Sequence, residues 1–314
     1  MKKSYTLTIF LNFFSAVLFL LPASLFSQQP KVFTIEDFEL SGMVKSCLVI
    51  TDYGREEFEF NMDGYLTKLV TRYNEDDYDV TYYKYQGSDL AERRFETYRD
   101  GTFDKNTSIA HVYQTDTLGP KKITEKILSY NEIFLEKYEY QFDVDGQLVK
   151  IIRTNDEGLD ETTVMYTNYQ EENTVTYYLN GVMQKSIRRS ARKQKNGSSR
   201  EIELTKNFLE GEPVTAIERI YGTTGHLISE QHFEYDTAAN SFVPAEKNNY
   251  EYDDKGRLVA QKTKLGPMEK KKAYIYQFDN EETGNWIKKI VTPENTYTTR
   301  RIQYYDIADE VEEQ

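Results

Sequence analysis

Apolar and polar residues alternate along most of this chain, and short polar turns interrupt the alternation. Segment 250–262, YEYDDKGRLVAQK, shows the pattern most clearly. Alternation places every second side chain on the same face of a β-strand, so two alternating runs joined by a polar turn predict a β-hairpin. Asp253 suits the start of a type I turn because its side chain can accept hydrogen bonds from the backbone ahead of it. Gly256 can take the positive φ that closes the turn with a bulge.

Looser copies of this unit recur through the chain. Each combines alternating aromatic residues, a short polar residue, a glycine and then a leucine or a tryptophan. Four segments match it best: 58–66, 140–148, 250–258 and 276–286. Near the end of the chain the turn glycines Gly225, Gly256 and Gly284 follow one another at intervals of about 30 residues, so one unit holds two strands and two turns.

The repeated pattern predicts an all-β protein of consecutive antiparallel β-hairpins in one extended, twisted sheet. The pattern does not set the curvature of this sheet, and curling onto itself with one aromatic face buried stays open. The predicted organisation is a signal peptide (1–27), a β-hairpin repeat domain (28–305) and an acidic C-terminal tail (306–314).

Two segments allow more than one interpretation. FTIEDFEL, at the end of the lead 28–40, fits either a brief helix or an edge strand. TEKILSYNEIFLEKYEY, which begins at Thr124, has some helical character, but we favour strands because alternation resumes at Tyr138. The dipeptides Asn180-Gly181 and Asp100-Gly101 are predicted to form tight hairpin turns.

The first 27 residues have the features of a secretory signal peptide. Lys2 and Lys3 precede an apolar run from Ile9 to Leu21, and small residues follow near Ser27. The run is shorter than the ~20 residues that a membrane span needs. We therefore predict an exported protein, periplasmic, on the outer surface or secreted, with no integral membrane segment after removal of the signal.

Charge and cysteine content narrow the range of partners. Residues 1–27 contain two lysines and no acids, so their removal changes the net charge from −13 to −15. Such a surface disfavours nucleic acid and anionic lipid as general partners. Cys47 is the single cysteine and cannot form an internal disulfide. Its neighbours, SCLVI, predict a small buried side chain on a strand.

Catalytic motifs are missing from the sequence. His111, His226 and His232 lack the spacing of metal ligands, and we interpret them as ordinary strand or surface residues. There is no Gly-x-Ser-x-Gly elbow, phosphate loop or His-Glu-x-x-His pair. Asp143 and Gly146 match part of a calcium loop, but a hairpin turn explains both. We predict no enzymatic activity, no catalytic residue, no metal and no cofactor.

The stretch 185–200 concentrates positive charge in an acidic chain. It contains seven lysines and arginines around the sequence NGSS. A local positive field of this kind could attract an anion. We favour the simpler interpretation, a solvated loop or a long hairpin tip.

The hairpin unit, aromatic-x-aromatic-Asp-x-x-Gly-x-Leu in its best form, resembles the RHS/YD-repeat family and the short exported bacterial proteins that carry degenerate copies of it. Copies extend over most of residues 42–290. The resemblance implies successive antiparallel hairpins coiled into a long sheet, which large members of the family wrap into a shell around a toxin. Carbohydrate binding is often proposed for such repeats.

Rows of aromatic residues are the strongest functional lead. On a half-buried sheet they hold neighbouring strands together, whereas an exposed row can bind sugar faces or an apolar patch of a protein. The candidate ligand-binding residues are Tyr138, Tyr140, Tyr250, Tyr252, Tyr274, Tyr276 and Trp286. We predict a non-enzymatic envelope or surface protein that binds a protein or glycan partner, with its oligomeric state open. The alternatives are a structural repeat scaffold without a specific ligand and, less favoured, a polysaccharide hydrolase.

Overall fold

The structure is a computed structural model that describes residues 30–193, 198–280 and 283–306. The predicted signal peptide and residues 307–314 of the predicted tail lie outside the described residues. Within the described ranges the chain forms twenty β-strands and one short 3-10 helix, Ile35–Phe38. No helix in these ranges is long and apolar enough to cross a membrane. The predicted all-β architecture is confirmed.

The strands follow one another along the chain with short connections. The first ten are β1 (Val44–Thr51), β2 (Gly54–Phe60), β3 (Leu66–Arg72), β4 (Tyr78–Gln86), β5 (Asp89–Arg99), β6 (Thr102–Asp116), β7 (Lys122–Ser129), β8 (Phe134–Phe142), β9 (Leu148–Asn155) and β10 (Gly158–Tyr169). The second ten are β11 (Glu172–Leu179), β12 (Val182–Lys193), β13 (Ser199–Leu209), β14 (Glu212–Tyr221), β15 (Leu227–Asp236), β16 (Ser241–Tyr252), β17 (Leu258–Leu265), β18 (Met268–Phe278), β19 (Trp286–Thr292) and β20 (Thr296–Tyr304).

The twenty strands form one closed antiparallel sheet. Each strand pairs with the strands before and after it, and β20 pairs with β1, where Ile302 lies opposite Cys47. The predicted consecutive antiparallel hairpins are confirmed, but the sheet closes into a barrel and is not extended; curling onto itself is the curvature that the pattern left open. Closure pairs the backbone N–H and C=O groups of β1 and β20, which an open sheet would leave exposed at its two edges.

The hairpin turns lie at the two ends of this barrel. At one end, here called the Asp-Gly end, each even-numbered strand connects to the next odd-numbered strand, and the turn after Asp253 is an example. Oδ1 of Asp253 accepts hydrogen bonds from the backbone N–H groups of Lys255 (3.0 Å) and Arg257 (2.9 Å), and Gly256 has a φ of 78°. The predicted role of Asp253 and Gly256 in the turn is confirmed. Turns from odd-numbered to even-numbered strands lie at the opposite end.

The remaining local predictions have clear outcomes. The lead contains the brief helix, and the segment from Thr124 forms strands β7 and β8, as favoured. Asn180 and Gly181 have φ values of 49° and 83°, as a tight hairpin turn requires, and Asp100-Gly101 forms a similar turn. The basic stretch belongs to the β12–β13 hairpin, with residues 194–197 outside the described ranges.

The tyrosine-bearing face of the sheet points into the barrel, and a charged face points outward. On β18, for example, Tyr274 and Tyr276 are half-buried, whereas Ile275 between them is 53% exposed. Ion pairs cross between strands on the outward face, such as Lys68 with Glu59 at 2.8 Å. Alternation thus separates an aromatic lining from a hydrated surface.

Residues 30–43 pack inside the Asp-Gly end and complete the main apolar core. The Phe38 ring lies 4.6 Å from the Phe58 ring, and the backbone N–H of Ile35 donates to the carbonyl of Gly64 at 3.0 Å. Cys47 lies in the same core with 1% exposure, and burial raises the pKa of its thiol to about 11. Its predicted burial on a strand is confirmed.

Candidate functional site

The seven predicted ligand-binding residues all lie on the inward face, and the structure divides them into two groups. Tyr138 and Tyr140 are on β8, and the other five are on β16, β18 and β19. Tyr140 has no exposed surface, and Trp286 is 7% exposed. We expected these aromatic rows to be accessible to a ligand, but they lie largely in the interior of the barrel.

Several tyrosine hydroxyls on this face have a structural partner. The hydroxyl of Tyr252 donates to the carbonyl of Leu227 at 2.8 Å, and that of Tyr276 donates to the carbonyl of Leu258 at 2.9 Å. Two further pairs repeat the bond, Tyr85 with Leu66 and Tyr166 with Leu148. Each acceptor leucine follows a turn at the Asp-Gly end, and each donor lies on the next strand. The bonds thus tie consecutive hairpins together.

A buried carboxylate holds Tyr140, whereas the hydroxyl of Tyr138 donates to Glu136 at 2.9 Å. Glu125 accepts hydrogen bonds from the hydroxyls of Tyr140 (2.7 Å) and Tyr113 (3.0 Å), and Nδ1 of His111 lies 2.7 Å from its Oε1. Burial raises the pKa of the Glu125 carboxyl, but these partners outweigh burial and the net pKa is lowered. The carboxylate is 6% exposed and fully bonded, which is the arrangement of a structural group. Sequence reasoning gave His111 no part in it.

A cleft of about 830 Å³ opens at the Asp-Gly end, within the size range of ligand sites. It lies between the turn after β14, the turn after β16 and the beginning of β13. The polar and aromatic residues of its lining include Arg200, Thr223, His226, Tyr250, Tyr252, Asp254 and Lys255. Two of the predicted ligand-binding residues, Tyr250 and Tyr252, therefore line the cleft.

Close packing of the two turns shapes the cleft wall. The His226 ring lies 4.7 Å from the Tyr252 ring, and Oγ1 of Thr224 lies 2.9 Å from Nδ1 of His226. A Cβ atom on Gly256 would lie 2.7 Å from Nε2 of His226. A larger residue at this position would strain the positive φ and would also displace the imidazole of His226.

Tyr250 lines the cleft, and its hydroxyl forms no hydrogen bond with a residue in the described ranges. Burial, and next the nearby charge of Glu230, raise the pKa of this tyrosine to about 12. The side chain is therefore a neutral phenol at physiological pH. Tyr250 can both stack on a ligand and donate a hydrogen bond to it.

The charged side chains of the cleft differ in whether they form ion pairs. Nε of Arg257 donates to Oδ2 of Asp253 at 2.6 Å, and this bond is the main cause of the lowered pKa of Asp253. The side chains of Lys255 and Asp254 form no ion pair with a described residue. Asp253 is thus occupied by the turn, whereas the side chains of Asp254 and Lys255 line the cleft without an ion pair to a residue in the described ranges.

Sequence reasoning found the aromatic half of this cleft and, in the basic stretch 185–200, Arg200, but it missed the other polar residues. His226 and Thr223 belong to the turn GTTGHL, and Lys255 belongs to DDKGRL, one repeat later. Turns of successive copies lie at the same end of a hairpin array, so their side chains meet. The equivalent positions of these residues in successive turns would have predicted that their side chains lie close together.

The described residues include no group of three or more His, Cys, Asp or Glu side chains that could hold a metal ion. No family model matches the chain, and no curated protein matches it.

Solved structures show weak similarity. A porin-like protein from Bacteroides vulgatus is 10% identical with a TM-score of 0.24, and the match covers 84% of this chain and 99% of that one. A protein of unknown function from Bacteroides fragilis is 11% identical with a TM-score of 0.18, with coverage of 54% and 89%. TcdB2-TccC3 is 11% identical with a TM-score of 0.19, and the match covers 78% of this chain but 20% of that one. Similarities this low assign neither a family nor a function.

Proposed function

We propose that this protein is a non-enzymatic, exported envelope or surface protein that binds a glycan in the cleft at the Asp-Gly end. The observation that carries the proposal is the combination of the Tyr250 and Tyr252 rings with unengaged polar groups in a cleft of about 830 Å³. Sugar rings have an apolar face that packs on an aromatic ring and hydroxyls at their edges. The unbonded hydroxyl of Tyr250 and the side chains of Asp254 and Lys255 suit those hydroxyls.

The carboxylates of the cleft favour binding over hydrolysis. Glycoside hydrolysis normally needs two carboxyl groups that act on one bond, roughly 5–9.5 Å apart. Asp253 accepts hydrogen bonds from its own turn and forms an ion pair with Arg257, so it cannot serve freely as an acid or a nucleophile. Asp254 alone does not make a catalytic couple. The cleft therefore suits recognition better than catalysis.

The tyrosine–leucine bonds favour a second candidate function, a structural scaffold without a specific ligand. They give tyrosines such as Tyr252 and Tyr276 a purely structural role that needs no glycan. The two functions differ in the role of Tyr250. Its hydroxyl forms no such bond with a described residue, so glycan binding needs this side chain and the scaffold does not.

Glycan binding is tested with the chain lacking residues 1–27 and a panel of purified oligosaccharides, by isothermal titration calorimetry. We expect saturable one-to-one binding that Tyr250→Ala weakens by tenfold or more and Tyr250→Phe weakens by a smaller factor. Tyr130→Ala is the matched control, because Tyr130 is 45% exposed at the opposite end of the barrel. We expect no change in that variant.

Circular dichroism must first show that each variant is folded. A folded parent protein that binds no member of the panel refutes glycan binding and supports the scaffold. Equal losses in Tyr250→Ala and Tyr130→Ala would place the binding site elsewhere.

A further inference from the structure

Four consecutive hairpins expose apolar side chains at the end of the barrel opposite the Asp-Gly end. We call these hairpin ends the distal tips, and they comprise residues 131–135 of the β7–β8 hairpin, 156–159 of β9–β10, 180–182 of β11–β12 and 209–214 of β13–β14. Their exposed apolar side chains include Ile133, Phe134, Leu159, Val182, Leu209 and Val214. Leu209 is 68% exposed and Leu159 is 63% exposed. Each tip therefore presents at least one apolar side chain to solvent.

The tips lie against one another. The side-chain amide of Asn180 donates to Oδ1 of Asp160 at 2.9 Å, which joins the β11–β12 tip to the strand that begins at the tip before it. On the other side, a Cβ atom on Gly211 would lie 3.5 Å from Cγ1 of Val182. Single exposed apolar residues are common on protein surfaces, whereas a set of them on adjoining turns is typical of a docking surface.

The distal tips contain acidic residues and no lysine or arginine. Their acids are Glu132, Asp156, Glu157, Glu210 and Glu212. All five are exposed, and none forms an ion pair with a residue in the described ranges. Farther along the same strands acids pair with bases, as Glu161 does with Lys150 at 3.0 Å. The tips thus combine exposed apolar side chains with negative charge that has no counterion in the described chain.

This composition selects the kind of surface that could cover the tips. Two copies of the chain joined through this end would bring acids against acids, and like charges across an interface disfavour association. A bilayer that contains anionic lipid has a negative surface and is disfavoured for the same reason. A protein segment that carries lysine or arginine around apolar side chains complements both properties of the tips.

We infer that the distal tips dock a basic, apolar segment of another protein. Contacts with Leu159, Val182 and Leu209 would bury apolar surface, and the acids of the tips would select the partner and speed its association. The tips lie at the opposite end of the barrel from the cleft, so this inference does not depend on the proposed glycan binding.

The test measures the binding of dye-labelled peptides to the chain lacking residues 1–27, by fluorescence anisotropy. The probe is a short amphipathic peptide of leucine and lysine. Two related peptides each differ from it in one property: glutamate replaces lysine in the first, and serine replaces leucine in the second. We expect the leucine–lysine peptide to bind about tenfold or more tightly than either of them, and added salt to weaken it because exposed charges are screened.

Matched substitutions locate the binding. We expect Leu209→Ser and Glu157→Gln each to weaken the leucine–lysine peptide about 3- to 10-fold. Leu118→Ser and Glu171→Gln are the controls, because both residues are exposed in turns at the Asp-Gly end, and we expect no change in either variant. Circular dichroism must show that each variant is folded.

The remaining results would each overturn the inference. A folded parent protein that binds no peptide would do so, and equal affinity for the two lysine peptides would mean that charge alone attracts the probe. Equal losses in a tip variant and its control would place the contact elsewhere. Sedimentation and vesicle flotation test the other occupants: a dimer, or binding to phosphatidylcholine vesicles, that Leu209→Ser abolishes would assign the tips to a second copy or to a bilayer.

Discussion

The buried carboxylate of Glu125 should make the stability of the protein depend on the single hydroxyl group of Tyr140. The Tyr140 hydroxyl donates to it at 2.7 Å inside a wall where Tyr140 has no exposed surface. Replacing Tyr140 by phenylalanine removes that donor and keeps the aromatic ring. Because the acceptor is ionised and buried, we expect Tyr140→Phe to lower the free energy of unfolding by about 1.5–3 kcal/mol at pH 7.

The pH dependence of this loss follows from the lowered pKa of Glu125. A carboxyl whose pKa is lower in the folded state contributes stability above its unfolded pKa of about 4.3, and the contribution disappears as the pH falls through the folded pKa. Tyr140→Phe raises the folded pKa, so the variant loses its contribution at a higher pH than the parent. Once both are protonated, the difference should shrink to the roughly 0.5–1.5 kcal/mol of a neutral hydrogen bond.

The assay is urea unfolding from pH 7 to about pH 3, followed by the fluorescence of Trp286, the single tryptophan of the chain. Tyr85→Phe is the matched control, because the Tyr85 hydroxyl donates to the neutral carbonyl of Leu66 at 2.6 Å. We expect it to cost about 0.5–1.5 kcal/mol at every pH. A loss in Tyr140→Phe that is as independent of pH as the control would refute an ionised Glu125 as the acceptor.

Two other predictions concern packing. Gly256→Ala should destabilise the protein by about 1 kcal/mol or more beyond Gly146→Ala, since both glycines have a φ near 78° but the new Cβ at 256 meets His226. In a His226→Ala background this excess should vanish in urea unfolding, and its persistence would exclude the imidazole as the cause. The Cys47 thiol, with its pKa of about 11, should have on the order of 100-fold less thiolate at pH 8 than an ordinary cysteine. Mass spectrometry should therefore find labelling by a thiol reagent slow in the native protein and fast in urea; equal rates would contradict its burial.

Local sequence patterns predicted the strands and turns well, because the determinants of each hairpin lie within about a dozen residues. Segment 250–262 spans the end of β16 and the beginning of β17, with Asp253 and Gly256 in their predicted turn roles. The short polar residue bonds to backbone N–H groups only two and four positions away. Such contacts depend on neighbours in sequence and need no knowledge of the remaining chain.

The pattern of alternating residues could not predict that the sheet closes into a barrel. Closure depends on pairing between β1 and β20, which lie at opposite ends of the described chain. Alternation of aromatic and polar residues is the same in an open and a closed sheet, so it defines two faces without stating which one is concave. The same limit explains why the tyrosine rows were expected to be accessible, when Tyr140 proves to be wholly enclosed.

The candidate site illustrates how a closed repeat barrel can gain specificity. Wall residues are constrained by partners on both sides, as the bonds of Tyr252 to Leu227 and of Tyr276 to Leu258 show. Turns carry fewer constraints, and the turns of successive copies lie side by side at the same end. At the Asp-Gly end this arrangement places His226 of one copy against Tyr252 of the next, beside the beginning of β13. The turn residues therefore set the chemistry of the cleft, whereas the tyrosine–leucine bonds hold the wall.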